Sequence, residues 1–97
     1  MKNEEKTGSA ALGGLRAEID SIDDEIARLF RRRMEVVDLI AAAKRSRGAA
    51  VNDPAREREI LSRVEAVAGP EFGDCARSLF SGIFEIAKKR QRELLVV

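Results

Sequence analysis

Apolar residues recur at alternating steps of four and three along the first half of the chain. The series comprises Leu15, Ile19, Ile22, Ile26, Leu29, Val36, Ile40 and Ala43. This spacing places all of them on one face of an α-helix. Neither proline nor glycine interrupts the segment before Gly48. The pattern therefore predicts one long amphipathic helix from about residue 15 to residue 46.

A second, shorter helix is predicted after a connection at residues 46–52. Asp53-Pro54 favours a helix start, because aspartate is a good N-cap and proline a good first helical residue. The apolar stripe of this helix is Ile60, Leu61, Val64 and Val67. Gly69-Pro70 then ends the helix.

A third helix is predicted to begin between Phe72 and Ala76. Its apolar stripe comprises Ala76, Leu79, Phe80, Ile83, Phe84, Ala87 and Leu94. No segment alternates apolar and polar residues as a half-buried strand would. The predicted fold class is therefore all-α, with one long and two shorter helices in each chain.

The length of the first predicted helix bears on assembly. Residues 15–46 would span roughly 48 Å, whereas a compact domain of this size has a radius of gyration near ~13 Å. Two shorter helices cannot cover so long an apolar face. We therefore expect a two-fold homodimer, the alternative being an elongated monomeric hairpin.

Composition narrows the function further. The 97 residues suffice for one domain, and the net charge of +1 does not suggest a nucleic-acid partner. Without histidine, and with Cys75 as the single cysteine, the usual Cys/His metal sites are unsupported. We expect neither metal nor cofactor, and a lone cysteine favours a reducing compartment.

The first residues are polar and rich in small side chains. We expect residues 1–12 to form a flexible tail and residues 13–97 to form the domain. The tail lacks the apolar run of a signal peptide, and no stretch approaches the ~20 apolar residues of a membrane span. These features predict a cytoplasmic protein without a membrane partner.

Polar residues interrupt the apolar stripes on all three predicted helices. Arg33 lies four residues after Leu29, and Lys44 lies four after Ile40. Eleven residues separate the two cations, which places them within about 20° of each other on one helix. Both are expected to face the interior.

A carboxylate and an amide occupy equivalent positions on the shorter helices. Glu57 precedes Ile60 and Leu61 by three and four residues, and Gln91 lies four after Ala87. Burying such groups is costly unless they are paired or meet a ligand. Internal salt bridges, for example from Glu57 to Arg33 or Lys44, are one explanation. The other, favoured by four residues on three helices, is a cationic pocket for a small anion with hydroxyl groups.

The neighbouring Lys88, Lys89 and Arg90 are predicted to form a solvated helix face.

Three segments carry a family resemblance: LRAEIDSIDDEIARLFRRRMEVVDLIAAAK, NDPAREREIL and LFSGIFEIAKKRQ. In this order and spacing, from about Leu12 to Leu94, the chain resembles the all-helical class of chorismate mutases. The resemblance implies a three-helix protomer in an intertwined homodimer with two active sites. It further implies the rearrangement of chorismate to prephenate in aromatic amino-acid biosynthesis, without a cofactor.

The resemblance also implies roles for the cations and the amide. Arg33 would bind one substrate carboxylate, and Arg16 would reach the other from the partner chain. Lys44 would bind a carboxylate and the ether oxygen of the enolpyruvyl group. Gln91 would donate a hydrogen bond to the same oxygen.

Three further positions match the family's pocket, and a fourth does not. Glu57 would accept a hydrogen bond from the ring hydroxyl, with Asp53 nearby and Arg56 as a further charged residue. Ala87 departs from the pattern, because some members have a serine there that contacts the ring carboxylate. A lost hydrogen bond would weaken binding by roughly 0.5–1.5 kcal/mol unless water substitutes.

Two other functions are compatible with the same helices. An isochorismate–pyruvate lyase on a related scaffold also needs buried cations for a dianion, although the surroundings of Glu57 favour the mutase. A degenerate mutase that binds another enzyme as a regulatory module is the second alternative. The nearly complete set of polar residues argues for an active enzyme.

Overall fold

The computed structural model describes residues 2–48 and 51–96 of the chain. Within them it contains three helices: α1 (Lys2–Arg47), α2 (Pro54–Ala68) and α3 (Gly73–Val96). No strand occurs in these ranges. The predicted all-α fold with one long and two shorter helices is therefore confirmed. Across the same ranges, none of the helices combines the length and apolar character that a membrane span requires.

The ends of α2 follow from local chemistry. The Asp53 side chain accepts a hydrogen bond from the backbone N–H of Arg56 at 3.2 Å, and Pro54 is the first helical residue. At the other end Gly69 has a φ of 87°, in the region that side-chain-bearing residues rarely adopt. Both predicted ends of α2 are confirmed, as is the predicted start of α3.

The predicted start of α1 near residue 15 is wrong, because the helix begins at Lys2. Most of the segment predicted to be a loose tail is therefore helical. Glutamate, lysine and alanine are strong helix formers, and together they offset the roughly 1 kcal/mol that each glycine, such as Gly13 or Gly14, costs a helix. The division into a tail of residues 1–12 and a domain of residues 13–97 stays a prediction.

The chain divides into two units, Met1–Arg33 and Met34–Val97. The first unit is helical, and six of its large apolar side chains are exposed: Leu12, Leu15, Ile19, Ile22, Ile26 and Leu29. The second unit has a core, formed by Val37, Ala41, Ile60, Phe84 and Ala87. The rings of Phe80 and Phe84 meet edge to face with centroids 6.4 Å apart.

Polar contacts tie the helices of the second unit together. The Arg90 guanidinium donates to both carboxylate oxygens of Asp38, at 2.9 and 3.0 Å, and so links α3 to α1. Arg77 pairs with Glu65 at 3.0 Å and links α3 to α2. Arg90 is exposed, as predicted, and in addition makes this bidentate contact. The contact fixes the part of α3 that precedes Gln91.

The Asp38–Arg90 pair predicts a pH dependence of stability. Hydrogen bonding from Arg90 lowers the pKa of Asp38 below its ordinary value of 3.8. A carboxyl whose pKa is lower in the folded state stabilises the fold above its unfolded pKa, and this contribution is lost as the pH falls through the folded value. We expect Asp38→Asn to lower the thermal unfolding midpoint at neutral pH and to flatten its fall below about pH 4.

The matched control for this variant is Glu71→Gln, at an exposed position in the α2–α3 turn. It should leave both the midpoint and its acid dependence close to those of the wild type. If the unfolding midpoint of Asp38→Asn fell with decreasing pH as steeply as that of the wild type, the ion pair would not contribute to stability.

Candidate active site

Lys44 lies on the last part of α1 and is half-buried. Its Nζ donates to the backbone carbonyl of Val51 at 3.2 Å, which ties the ammonium to the connection between α1 and α2. An ammonium carries three N–H donors and no acceptor. One donor thus has a structural role, and the charge remains suited to an anionic ligand. The predicted inward position of Lys44 agrees with this partial burial.

Gln91 is the polar residue at the centre of the α3 packing face. Its exposed fraction is 7%, so the inward position predicted from its spacing is confirmed. Among the described residues, none donates a hydrogen bond to its Oε1. A buried polar atom without a partner costs roughly 1–3 kcal/mol, and such atoms are rare in proteins. Packing alone therefore does not explain a glutamine at this position.

Because its Oε1 is buried without a partner, Gln91 is expected to lower the free energy of unfolding. Gln91→Met keeps the approximate volume and removes the unsatisfied oxygen, so it should raise the free energy of unfolding by about 1–3 kcal/mol. Gln91→Glu, the matched control, buries a carboxylate and should lower it. Urea unfolding of both variants and the wild type measures the difference. Equal or lower stability of Gln91→Met would mean that the amide is satisfied in the native protein.

Glu57 lies in the first turn of α2 and is half-buried. Its Oε2 lies 3.2 Å from Nζ of Lys88 on α3. An internal salt bridge was one explanation that the sequence offered for Glu57, with Arg33 or Lys44 as examples of the cation. The structure pairs Glu57 with Lys88, which the sequence had not suggested. The Glu57 carboxylate is held between the two shorter helices and retains a second oxygen.

Lys88 is the residue that sequence reasoning missed. The sequence predicted that Lys88 would be solvated. Its side chain is in fact only 17% exposed, and its Nζ lies 3.2 Å from Glu57 and 3.0 Å from Glu85. Hydrogen bonds from Lys88 to Glu85 and Glu57 raise the pKa of the Lys88 ammonium above its ordinary value of 10.5. A signal was available, because Phe84, Lys88 and Gln91 follow the four-and-three spacing of one helical face. The run of three basic residues obscured it.

Asp53 contacts two other predicted site residues, Arg56 and Glu57, at the start of α2. Asp53 caps α2 by accepting from the Arg56 backbone, and its own carbonyl accepts from the backbone N–H of Glu57 at 3.1 Å. The Arg56 guanidinium pairs with Glu59 at 3.2 Å. Asp53 therefore fixes the turn that carries Glu57, and both Asp53 and Arg56 are exposed.

Three predicted positions remain. Ala87 is buried beside the α3 residues Lys88 and Gln91. Arg16 and Arg33 belong to the first unit, where Arg16 is exposed and Arg33 is half-buried and makes its own contact. The functional roles predicted for all eight residues stay predictions.

A separate shallow cavity of about 240 Å³ lies at the turn between α2 and α3. It is lined by Glu65, Ala66, Gly69, Pro70, Gly73 and Asp74. None of the predicted site residues lines it. The cavity is therefore distinct from the residues that the sequence selected.

The protein is thus all-helical, with the amide of Gln91 buried and the charged side chains of Lys44, Glu57 and Lys88 partly buried. The family model of chorismate mutase type II matches residues 15–92. The chain belongs to the chorismate mutase type II family, whose members are isomerases. The resemblance read from the sequence is thereby confirmed.

Two curated relatives illustrate this relationship. The T-protein of Haemophilus influenzae is 41% identical over 58 residues, which are 58% of this chain and 15% of that protein. The chorismate mutase of Methanocaldococcus jannaschii is 36% identical over 86 residues, which cover 87% of this chain and 87% of that protein. No solved structure matches the chain significantly.

Proposed function

We propose that this chain is a chorismate mutase that rearranges chorismate to prephenate, as a step of aromatic amino-acid biosynthesis. The single observation that carries the proposal is the match of residues 15–92 to the chorismate mutase type II family. An intramolecular [3,3] rearrangement needs no enzymic nucleophile or proton shuttle. It needs a flexible substrate held in a compact chair-like conformer, and donors aimed at the charge that develops.

The two substrate carboxylates would be held by arginines. Arg33 is assigned one carboxylate, and Arg16 of the partner subunit the other. Guanidinium binds carboxylate through two parallel hydrogen bonds, which fixes orientation as well as distance. Two such contacts on one small molecule restrict it to the conformer that reacts. Arg16 is exposed on its own chain, so its guanidinium is accessible to a neighbouring chain.

The developing charge would be met by Lys44 and Gln91. Cleavage of the C–O bond runs ahead of C–C bond formation, so negative charge builds on the ether oxygen. Lys44 supplies an ammonium already anchored by Val51, and Gln91 supplies an amide fixed by burial. Donors that are in place before the reaction need no reorganisation, and they stabilise the transition state more than the ground state.

Residues of α2 and α3 would bind the ring of the substrate. Glu57 would accept the hydrogen bond of the ring hydroxyl, with Asp53 holding the helix start and Arg56 adding positive charge. Ala87 offers no side-chain hydrogen bond to the ring carboxylate. Water would take the place of the hydroxyl that a serine supplies in some members of the family.

The enzyme is proposed to be an intertwined homodimer. Leu15, Ile19, Ile22, Ile26 and Leu29 are each at least half exposed on α1. Burying one such side chain contributes roughly 1.5–3 kcal/mol, so leaving a row of them in water is unfavourable. A second copy would cover this row and bring Arg16 to the neighbouring site.

The test of the proposed activity uses two substrates. Purified protein should convert chorismate to prephenate and leave isochorismate unchanged. Pyruvate release from isochorismate would instead identify a lyase. Turnover of neither substrate by folded protein would favour the regulatory module and would overturn the proposal.

A further inference from the structure

Lys88 lies at the centre of a three-residue ion network in the second unit. Its Nζ is 3.2 Å from Glu57 Oε2 on α2 and 3.0 Å from Glu85 Oε1 on α3. The exposed side-chain fractions are 17% for Lys88, 27% for Glu57 and 69% for Glu85. The contact with Glu57 is thus the inner, better-shielded one, and the contact with Glu85 faces water.

The inner contact joins two elements that carry proposed site residues. Glu57 is in the first turn of α2, and Lys88 lies three residues before Gln91 on α3. A partly buried carboxylate is destabilised unless a cation accompanies it. The long side chain of glutamate also has several rotamers, and a fixed cation selects among them. Lys88 therefore both compensates and orients the Glu57 carboxylate.

We propose that Lys88 is a positioning residue that holds the Glu57 carboxylate where it accepts the ring hydroxyl of the substrate. The inference rests on the proposed function and extends it to a residue outside the eight site residues that were predicted from the sequence. One oxygen of Glu57 is engaged by Lys88, and the other is kept for the substrate. Glu85 acts from the solvent side by restraining the Lys88 ammonium against α3.

This role differs from that of a plain helix-to-helix link. A link that only stabilised α2 against α3 would change the folded fraction, and hence the apparent kcat. A residue that orients Glu57 changes how well the substrate is held, because the hydroxyl contact exists in both the ground state and the transition state. Loss of such uniform binding raises KM while kcat changes little.

The experiment compares Lys88→Met with Lys88→Arg in the full-length protein, with chorismate as substrate. We expect Lys88→Met to raise KM roughly tenfold with kcat within about twofold, since couplings of this kind commonly reach that size. Lys88→Arg retains the positive charge, so its KM should lie much closer to the wild-type value than that of Lys88→Met. Lys89→Met, at the exposed neighbouring position, should behave as the wild type. Glu85→Gln should have a smaller effect than Lys88→Met.

A double-mutant cycle with Glu57→Gln tests the route of the effect. If Lys88 acts through Glu57, Lys88→Met should change KM less than about twofold in the Glu57→Gln background. An undiminished effect there would overturn the proposal, as would a wild-type KM for Lys88→Met. A parallel fall in kcat and unfolding midpoint, with KM unchanged, would show a merely structural link. If the wild type does not convert chorismate, the proposed function fails first and this role fails with it.

Discussion

Lys44→Ala should lower kcat by roughly 10²–10³-fold while the protein stays folded. The size follows from removing a preorganised donor at the oxygen where charge develops in the transition state. The structural loss should be smaller, because within the described residues the side chain donates to the Val51 carbonyl, and a hydrogen bond from a charged group contributes roughly 1.5–3 kcal/mol, less where the group is half-exposed. Steady-state kinetics and thermal unfolding, measured on the same preparation, separate the two effects.

Two companion variants sharpen this result. Lys89→Ala removes a charge of the same kind from an exposed position and should retain wild-type turnover. Lys44→Arg keeps the charge but changes its shape and reach, and should fall between wild type and Lys44→Ala. Near-normal turnover by a folded Lys44→Ala protein would remove Lys44 from the catalytic assignment.

Arg16→Ala and Arg33→Ala should each lower kcat/KM by roughly 10²-fold or more, and a mixture of the two should regain activity. Each variant removes one carboxylate clamp and the restraint it places on the substrate. If Arg16 acts in the partner's site, a heterodimer of the two variants has one intact site and one doubly defective site. Random exchange at equal concentrations would then restore about one quarter of the wild-type sites.

The control for this experiment is each variant incubated alone under the same exchange conditions, which should stay inactive. Subunit exchange is followed independently with a mass-tagged copy of one variant. Complete exchange without recovered turnover would show that Arg16 and Arg33 serve the same chain's site, or none.

Local chemistry explains which parts of the fold could be read from the sequence. Asp53 caps the start of α2, the ring of Pro54 favours the first helical position, and Gly69 ends the helix with a positive φ. Each of these effects depends on only one or two residues. The inward position of Gln91 follows from helical spacing. The start of α1 could not be read in this way, because Gly13 and Gly14 resemble a linker although the helix continues through them.

Contacts between helices explain what the sequence could not reveal about the site. The Glu57–Lys88 pair joins residues from different helices, and spacing along either helix does not specify it. The basic run at Lys88 further suggested solvent exposure, whereas the structure partly buries Lys88. The proposed contribution of Arg16 depends on a second copy of the chain, which no pattern within one chain can position.

Above all, we propose that this chain catalyses the rearrangement of chorismate. The most direct measurement follows the loss of chorismate after adding the purified protein and identifies the product by NMR. We predict saturable turnover with prephenate as the sole product, at a rate proportional to enzyme concentration. No consumption above the uncatalysed rate, by protein shown to be folded and helical, would contradict the account.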